Sequence, residues 1–349
     1  MAHPSGIDKT HARRWCERVL AGLLALACLL QATPAGAAGP VETPVDEIIF
    51  GILPLGGPAE SLEAWDPFLQ DMSDTLEMPV RSFSVSSYQG LARAMEQHRV
   101  DVAFASGLLA LDAVANNQMQ VIAQLTRGDG SLGYRSLLLV RFDSPIHTLD
   151  DLYAQPGHWR FARGENLSTS GYLVPETQVF ANRKLDSDTF FAQVTINSHQ
   201  NNALAVANGE VDIATNNSAD MERFTQRFPE QSSRLRTLWE SDLIPHAVII
   251  VRGDLPLKLH QAIADFITHY AKRGPSASTE LANLKLIHDI SGFAPANNTT
   301  LKSFADVTHT LARRRALAAR WINDEAMQAQ LRRIDEDHRE LMEALESRE

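Results

Sequence analysis

Strands and helices alternate along this chain from about residue 47 onward, and this alternation restricts the possible folds more than any other feature. Short apolar runs such as EIIFGILPL and VDVAFAS are separated by amphipathic segments with a helical period. In such a series, each helix returns the chain to the same edge of a sheet. The sequence therefore predicts an α/β fold built on parallel sheets.

An internal near-repeat predicts two similarly built lobes. The segments ARAMEQHRVDVAFAS and ALAVANGEVDIATNN both run from the end of a helix, through Val-Asp-hydrophobic-Ala, into a strand. We expect lobe 1 to comprise residues 47–141 and 238–300, and lobe 2 to comprise residues 142–237. A ligand would then bind in the cleft between the lobes, at the carboxyl ends of the strands.

The first residues, 1–37, have the pattern of a secretory signal peptide. Arginines precede the apolar run VLAGLLALACLL, and the small residues AGA follow it, so we expect cleavage before Ala38. The run is too short to span a bilayer comfortably. Lipoprotein anchoring through Cys28 is a less favoured alternative, because the residues before it fit the lipoprotein pattern poorly. The sequence thus predicts an exported protein.

Composition disfavours several classes of function. Both cysteines, Cys16 and Cys28, lie in the leader, so the exported chain would have neither a disulfide bond nor a thiolate metal site. The histidines are scattered without an H-x-x-x-H pair, which disfavours a metal centre. The net charge of −11 disfavours non-specific binding to nucleic acid. We expect no metal and no cofactor, whereas a small anion held by a few local donors is compatible with this charge.

The most informative short stretch is ENLSTSGYLVPE, residues 165–176. Ser168, Thr169, Ser170 and Gly171 are weak helix formers, yet they stand between the strand WRFARG and a segment that predicts a helix. In one interpretation, their oxygens merely cap the free amides of the first helical turn. In the other, the amides and hydroxyls surround a tetrahedral oxyanion, and Gly171 lets it approach the backbone.

Two further strand-to-helix turns carry groups that suit an anion. His199 follows the strand VTIN, and its imidazole can donate a hydrogen bond, more strongly when protonated. Tyr88 occupies the corresponding turn of the first lobe, in SVSSYQGL. Taken singly, each residue is as readily explained by packing. Together with Ser168, Thr169 and Ser170, they form the predicted ligand-binding set.

In their order, these motifs resemble the periplasmic substrate-binding proteins of phosphonate and phosphite ABC importers. The resemblance covers about residues 47–275 and rests on PFLQDM, the VDVA strand, DGSLGYRSLLLV, STSGYLVP, HQNNALAVANGEVDIATNN and LWESDLIP through VRGDLP. It implies a two-lobed, type II-like periplasmic binding protein that closes on a phosphorus oxyanion and docks on an ABC permease in the inner membrane. It also implies that Tyr88 from one lobe holds the oxyanion together with Ser168, Thr169, Ser170 and His199 from the other.

Three departures from the family pattern concern the rest of the ligand. The family member that binds an aminoalkyl phosphonate has a second tyrosine where this chain has Ala105. It also has two acidic residues that hold the ligand's ammonium, and Ala219 and Ala247 stand at those positions. Asp220 and His246 are adjacent, but a register shift would be needed for them to substitute. We therefore expect a compact ligand without an amine, such as phosphite, methylphosphonate or phosphate.

Two other functions compete with import. A periplasmic sensor would use the same fold and ligand, and the sequence alone does not separate the two roles. A serine hydrolase would use Ser170 as nucleophile and His199 as base. This reading is much less favoured, because the sequence has no G-x-S-x-G elbow and no identifiable orienting carboxylate.

The tail, residues 301–349, is helical in pattern and highly charged. Its apolar residues follow a seven-residue spacing, which gives one narrow stripe: Met327, Leu331, Ile334, Leu341 and Leu345. The stripe predicts a helix that packs on the protein's own body. A homodimer formed through this helix is the alternative.

Overall fold

A computed structural model describes residues 45–53, 58–116, 119–131, 133–287 and 290–347. The predicted signal peptide, with Cys28, lies outside the described residues. The described chain forms two mixed sheets flanked by helices, a two-stranded ribbon and a C-terminal helical pair. The α/β class predicted from the alternation is confirmed. Within the described ranges, every helix is too short or too polar to span a bilayer.

The first sheet contains six strands: β1 (Ile48–Ile52), β2 (Val80–Ser84), β3 (Val102–Ala105), β4 (Met119–Arg127), β12 (Val248–Arg252) and β13 (Ile290–Pro295). Their order across the sheet is β13-β4-β12-β3-β1-β2. Strand β1 pairs in parallel with β2 and β3, whereas β12 is antiparallel to β3 and β4. Strand β13 adds a further antiparallel edge beside β4.

The second sheet contains five strands: β6 (Ser136–Arg141), β7 (Arg160–Arg163), β8 (Gln193–Ile196), β9 (Ile213–Asn217) and β10 (Leu235–Glu240). Their order is β10-β6-β9-β7-β8, with β7 parallel to β8 and β9, and β6 antiparallel to β9 and β10. A separate ribbon pairs β5 (Gly133–Tyr134) with β11 (Ile244–Pro245).

The helices that flank the sheets are α1 (Pro58–Leu76), α2 (Tyr88–Glu96), α3 (Gly107–Asn116), α4 (Leu149–Tyr153), α5 (Ser187–Phe190), α6 (His199–Ala207), α7 (Ser218–Arg227), α8 (Pro229–Ser232), α9 (Leu257–His269), α10 (Ala277–Leu286), α11 (Lys302–Ala318) and α12 (Asp324–Ser347). The segment predicted as a helix after the Ser-Thr-Ser turn is wound as a π-helix over Thr169–Leu173 and Glu176–Phe180, with a 3₁₀ turn at Ala181–Arg183. A further 3₁₀ turn spans Asn298–Leu301.

The near-repeat seen in the sequence is confirmed. Strands β3 and β9, which carry the two Val-Asp-hydrophobic-Ala motifs, occupy the same position in their sheets: each lies between a parallel strand, β1 or β7, and an antiparallel strand, β12 or β6. The parallel pairs that the alternation predicts are present, but both sheets also contain antiparallel strands. Strands β12 and β6 reach their sheets from the ribbon region, so no helical crossover forces them to run parallel to their neighbours.

The predicted lobe bounds stay a prediction, but two strands, β6 and β10, lie wholly or partly in a different sheet from the one that the bounds imply. The bounds assign residues up to 141 to lobe 1, whereas β6 pairs with β9 and β10 in the second sheet. Likewise, β10 lies wholly in the second sheet, although the predicted return to lobe 1 begins at residue 238. The chain therefore changes sheets in the ribbon segments, where apolar strand patterns give no signal.

The C-terminal helices α11 and α12 pack on the protein's own body. Leu345 is fully buried in the core of the first sheet, and Leu331 is also buried. Arg315 of α11 donates to the Tyr172 hydroxyl at 2.7 Å and to the Glu176 carboxylate at 3.2 Å, beside the second sheet. The favoured prediction for the tail is confirmed, and the homodimer stays a prediction.

Candidate ligand-binding site

A cavity of about 70 Å³ lies where residues from the two sheets meet. One buried water needs about 10–15 Å³ of such space, so there is room for several waters or one compact oxyanion. The five residues predicted from the sequence all line this cavity: Tyr88, Ser168, Thr169, Ser170 and His199. Each of them is more than nine-tenths buried. The structure thus brings together residues that are widely separated in sequence.

The Ser-Thr-Ser turn follows strand β7 and starts the π-helical segment Thr169–Leu173, a winding that often marks functional sites. Ser168 Oγ accepts a hydrogen bond from the Gly171 amide at 3.0 Å, so Ser168 caps the segment. The amides of Thr169 and Ser170 have no hydrogen-bond acceptor among the described residues. The capping interpretation is therefore confirmed for Ser168. The anion-binding interpretation stays a prediction, and the two open amides are compatible with it.

Gly171 has a different role from the one that the sequence suggested. A Cβ atom there would lie 2.9 Å from the Gly164 Cα and 2.7 Å from Ser168 Oγ. Those distances are too short for real contacts, so glycine is required by the close approach of two backbone segments. The structure thus gives Gly171 a packing role, and the interpretation that it lets the ligand approach stays a prediction.

The hydroxyls of the turn are held from both sheets. Thr169 Oγ1 accepts a hydrogen bond from the Leu108 amide of α3 at 2.9 Å, which leaves its own hydrogen able to donate. Ser170 Oγ lies 3.5 Å from His199 Nε2, and the Ser170 carbonyl accepts from Ser136 Oγ at 2.6 Å. These contacts fix the turn before any ligand binds.

Two phenols face the turn. Tyr88, the first residue of α2, interacts with the Ser168 side chain, and Tyr134, in β5, interacts with Ser170. Burial raises the pKa of both phenols above the usual range, so both stay protonated and able to donate at neutral pH. The Glu165 carboxylate accepts a hydrogen bond from the Tyr88 amide at 3.0 Å, which joins α2 to the turn.

His199 begins α6, where Ser198 is the N-cap residue. Its Nε2 atom is the one near Ser170, and its Nδ1 atom is buried without a hydrogen-bond partner among the described residues. Burial lowers the pKa of His199, although Asp220 opposes this effect, so the ring is neutral at pH 7. A neutral ring has one N–H to donate and one nitrogen to accept.

Apolar side chains also line the cavity. They include Leu53, Phe104 and Leu125, together with Ala219 and Ala247, which stand where the resemblance implies acidic residues. These side chains can contact a hydrocarbon substituent, and the two alanines offer no charge to an ammonium group.

Asp220 and His246 also line the cavity, so the expectation that a register shift would be needed to bring them there is wrong. The His246 ring stacks on Tyr134 at 6.1 Å, and its Nε2 lies 3.2 Å from the Ser131 carbonyl oxygen. Burial lowers the pKa of His246, so this ring is also neutral at pH 7. Asp220 is held at the start of α7 by Asn217.

Sequence reasoning missed several residues of the cavity wall, among them Arg127 and Tyr134. Arg127 ends strand β4, and strand ends are where ligands bind in such sheets, so its position was a usable signal. Its guanidinium is buried and forms an ion pair with Glu222 at 2.5 Å. Tyr134 lies in the ribbon of β5 and β11, and strands as short as these leave no recognisable pattern in the sequence. No cluster of metal-ligating side chains is found within the part of the chain that the structure describes.

Ion pairs connect helix α7, on the second sheet, to the first sheet's elements. Glu60 of α1 accepts from Arg223 at 2.9 Å and also pairs with Arg227, while Arg127 pairs with Glu222. Each pair joins an element that flanks or belongs to the first sheet to helix α7 of the second. Charge pairs therefore connect the two sheets' elements in addition to the contacts of the turn.

Comparison with known proteins identifies the family to which this chain belongs. The sequence profile of the periplasmic substrate-binding proteins of phosphonate ABC transporters matches residues 50–301. The chain belongs to this family. It is a family of periplasmic substrate-binding components of transporters rather than of enzymes.

Individual relatives agree with that membership. The phosphonates-binding periplasmic protein of Escherichia coli (strain K12) is 39% identical over 224 residues, which are 64% of this chain and 66% of the relative, a little under two thirds of its length. The phosphate-import protein PhnD of Mycolicibacterium smegmatis is 24% identical over 257 residues, 68% of this chain and 77% of that protein.

Solved structures confirm the predicted fold. A binding protein component of an ABC phosphonate transporter from Pseudomonas aeruginosa superposes with a TM-score of 0.80 at 31% identity, covering 87% of this chain and 99% of that one. PhnD1 from Prochlorococcus marinus, in complex with methylphosphonate, has a TM-score of 0.66 at 19% identity, covering 76% and 98%. This phosphonate-transporter family member thus has the two-lobed periplasmic binding fold with C-terminal helices.

Proposed function

We propose that this protein binds a small phosphorus oxyanion without an amine, such as methylphosphonate, phosphite or phosphate, and delivers it to an ABC permease. The observation that carries the proposal is the lining of one cavity, in which hydrogen-bond donors and apolar side chains both occur. We infer that the open amides and hydroxyls form a polar end together with His199 and Tyr88. We infer likewise that Ala219 and Ala247 form an apolar end with the larger apolar side chains.

The polar end supplies donors of several kinds to the oxyanion. The amides of Thr169 and Ser170 donate from the backbone, and the three hydroxyls of the turn donate from the side chains. His199 and Tyr88 donate from the facing walls. A hydrogen bond to a charged group contributes about 1.5–3 kcal/mol. Five or six such bonds support micromolar or tighter binding after the cost of association.

The apolar end favours a ligand whose remaining substituent is small and uncharged. A methyl group on phosphorus would contact the side chains of Leu53, Phe104 and Leu125 and would lose its contact with water, which contributes about 0.8 kcal/mol per buried methylene-sized group. An ammonium group would meet alanines at positions 219 and 247, which leaves Asp220 as the one carboxylate among the described residues that line the cavity. Asp220 is already bonded to Asn217, so the ammonium group would lack the paired carboxylates that its burial requires. The proposal therefore ranks alkyl ligands above aminoalkyl ligands.

Ligand binding and lobe closure are linked. A ligand favours the closed form only through contacts that the open form lacks, and here Tyr88 belongs to the first sheet's helices while Ser168, Thr169, Ser170 and His199 belong to the second. An oxyanion that bridges both sets stabilises the closed form. A permease can then distinguish the loaded protein by its shape.

The contacts of His199 argue against a serine hydrolase. A catalytic histidine beside Ser170 would be oriented through its second nitrogen, whereas Nδ1 of His199 has no partner among the described residues. The orphan nitrogen fits a histidine that waits for a ligand. We therefore assign binding and no hydrolysis to this site.

Calorimetry with the purified protein tests the proposal. We expect methylphosphonate and phosphite to bind more tightly than aminoethylphosphonate, and Ser170→Ala to weaken binding of all three. If aminoethylphosphonate bound best, the argument from Ala219 and Ala247 would be wrong. If none of these ligands bound, the assignment of the cavity to phosphorus oxyanions would be wrong.

A further inference from the structure

One carboxylate lies in the donor-rich part of the cavity wall. Asp220, in the first turn of α7, lines the cavity together with Ser168, Ser170 and His199. Its Oδ2 accepts a hydrogen bond from Asn217 Nδ2 at 2.6 Å, and its amide donates to Asn217 Oδ1 at 2.9 Å. These two bonds fix the position of the carboxylate. A negative group so placed in an anion site requires an explanation.

The Asp220 charge acts on the groups that surround the turn. Burial, and to a smaller extent Asp220, raise the pKa of Tyr88 and Tyr134, and Asp220 opposes the effect of burial on the pKa of His199. Each of these three side chains meets the turn at Ser168 or Ser170. The carboxylate is therefore within electrostatic reach of an oxyanion bound at the turn.

A fully ionised oxyanion at the turn would be repelled by Asp220. The positive groups nearby are already used in ion pairs: Arg127 with Glu222, and Arg223 with Glu60. His199 and His246 are neutral, because burial lowers the pKa of each ring. A ligand that keeps one acidic proton replaces this repulsion by a charge-assisted O–H···O hydrogen bond.

We propose that Asp220 makes the site selective for phosphorus oxyanions that carry an acidic proton, and that it rejects sulfate and alkylsulfonates. The inference rests on the proposed function, since Asp220 acts in the same cavity. The second pKa of a phosphate group is about 6, so protonated forms are available near neutral pH. Sulfate and sulfonates are fully ionised there and have no proton to donate. Asp220 accepts the P–OH hydrogen while the turn and His199 donate to the other oxygens.

Calorimetry with methylphosphonate and methanesulfonate tests the selectivity, because the two ligands have similar shapes and differ in the acidic proton. We expect the parent protein to prefer methylphosphonate strongly. Asp220→Asn should lower the preference by about tenfold or more, since it removes a charge-assisted bond to one ligand and a repulsion from the other. The matched control is Asp151→Asn, because Asp151 also lies at the third position of a capped helix but does not line the cavity.

A pH series provides the second measurement. In the parent protein, methylphosphonate affinity should fall as the pH rises from about 6 to about 9, since the ligand loses its proton, and the fall should be shallower in Asp220→Asn. Equal affinity of the parent for the two ligands would overturn the inference, even if the variant did not fold. An unchanged preference in Asp220→Asn would do the same, and in either case the proposed function would stand. No binding of methylphosphonate by the parent would overturn both.

Discussion

Replacement of Tyr88 by phenylalanine tests how the cavity joins its two sides. Tyr88 is 7% exposed, and its hydroxyl lies in the cavity wall beside Ser168. Phenylalanine keeps the ring and its packing, so only the hydroxyl donor is lost. Because a hydrogen bond to a charged ligand contributes about 1.5–3 kcal/mol, and 1.4 kcal/mol corresponds to tenfold, Tyr88→Phe should weaken methylphosphonate binding about 10- to 100-fold.

Calorimetry measures the affinity, and small-angle scattering with and without ligand measures the closure. The matched control is Tyr153→Phe, which removes a hydroxyl that donates to the Val179 carbonyl at 3.0 Å, away from the cavity. We expect the control to bind like the parent, and Tyr88→Phe to become less compact than the parent at saturating ligand. If Tyr88→Phe were as compact as the parent at saturating ligand, or if it bound methylphosphonate within about twofold of the parent affinity, the reasoning would be refuted.

Two further predictions concern the ion pairs and the tail. Glu60→Gln removes the ion pairs to Arg223 and Arg227, each of which contributes about 0.2–1 kcal/mol. Calorimetry at low salt should therefore show that the variant binds ligand a few-fold more weakly than the parent, and this difference in affinity should shrink as salt is added. If the difference in affinity did not depend on salt, the lost ion pairs would not be its cause. Leu345→Ala should lower the free energy of unfolding by about 2–5 kcal/mol in denaturant titrations, whereas Leu317→Ala, at a half-exposed position, should cost much less. If the two variants lost similar amounts of unfolding free energy, the packing of α12 on the core would be contradicted.

The strand-helix alternation predicted most of the fold, because apolar runs report burial directly. The helix that begins at Tyr88 and the strand that carries Val102 have almost the predicted bounds. The ribbon of β5 and β11 was not predicted, since its pairs form between segments that are short and far apart in sequence. For the same reason, the sheet that contains Ser136–Arg141 could not be read from local pattern.

The polar end of the site could be predicted because its residues occupy the turns between strands and helices, where ligands bind in such sheets. Most of the wall opposite the turn could not be predicted. Arg127 is the exception, because it ends strand β4, where a residue near a ligand could be expected. Tyr134 enters the cavity through the pairing of β5 with β11, from a distant part of the chain, and Asp220 does so through the capping of α7 by Asn217. Those relations depend on tertiary structure. The π-helical winding after Ser168 likewise depends on how the Gly164 and Gly171 backbones meet.

A crystal structure of the protein with methylphosphonate tests the central claim most directly. The account predicts the phosphorus atom in the cavity, with oxygens about 3 Å from the Thr169 and Ser170 amides, and with the methyl group toward Ala219 and Ala247. Methylphosphonate bound outside this cavity, or bound inside it with those two amides left without a ligand oxygen, would contradict the account.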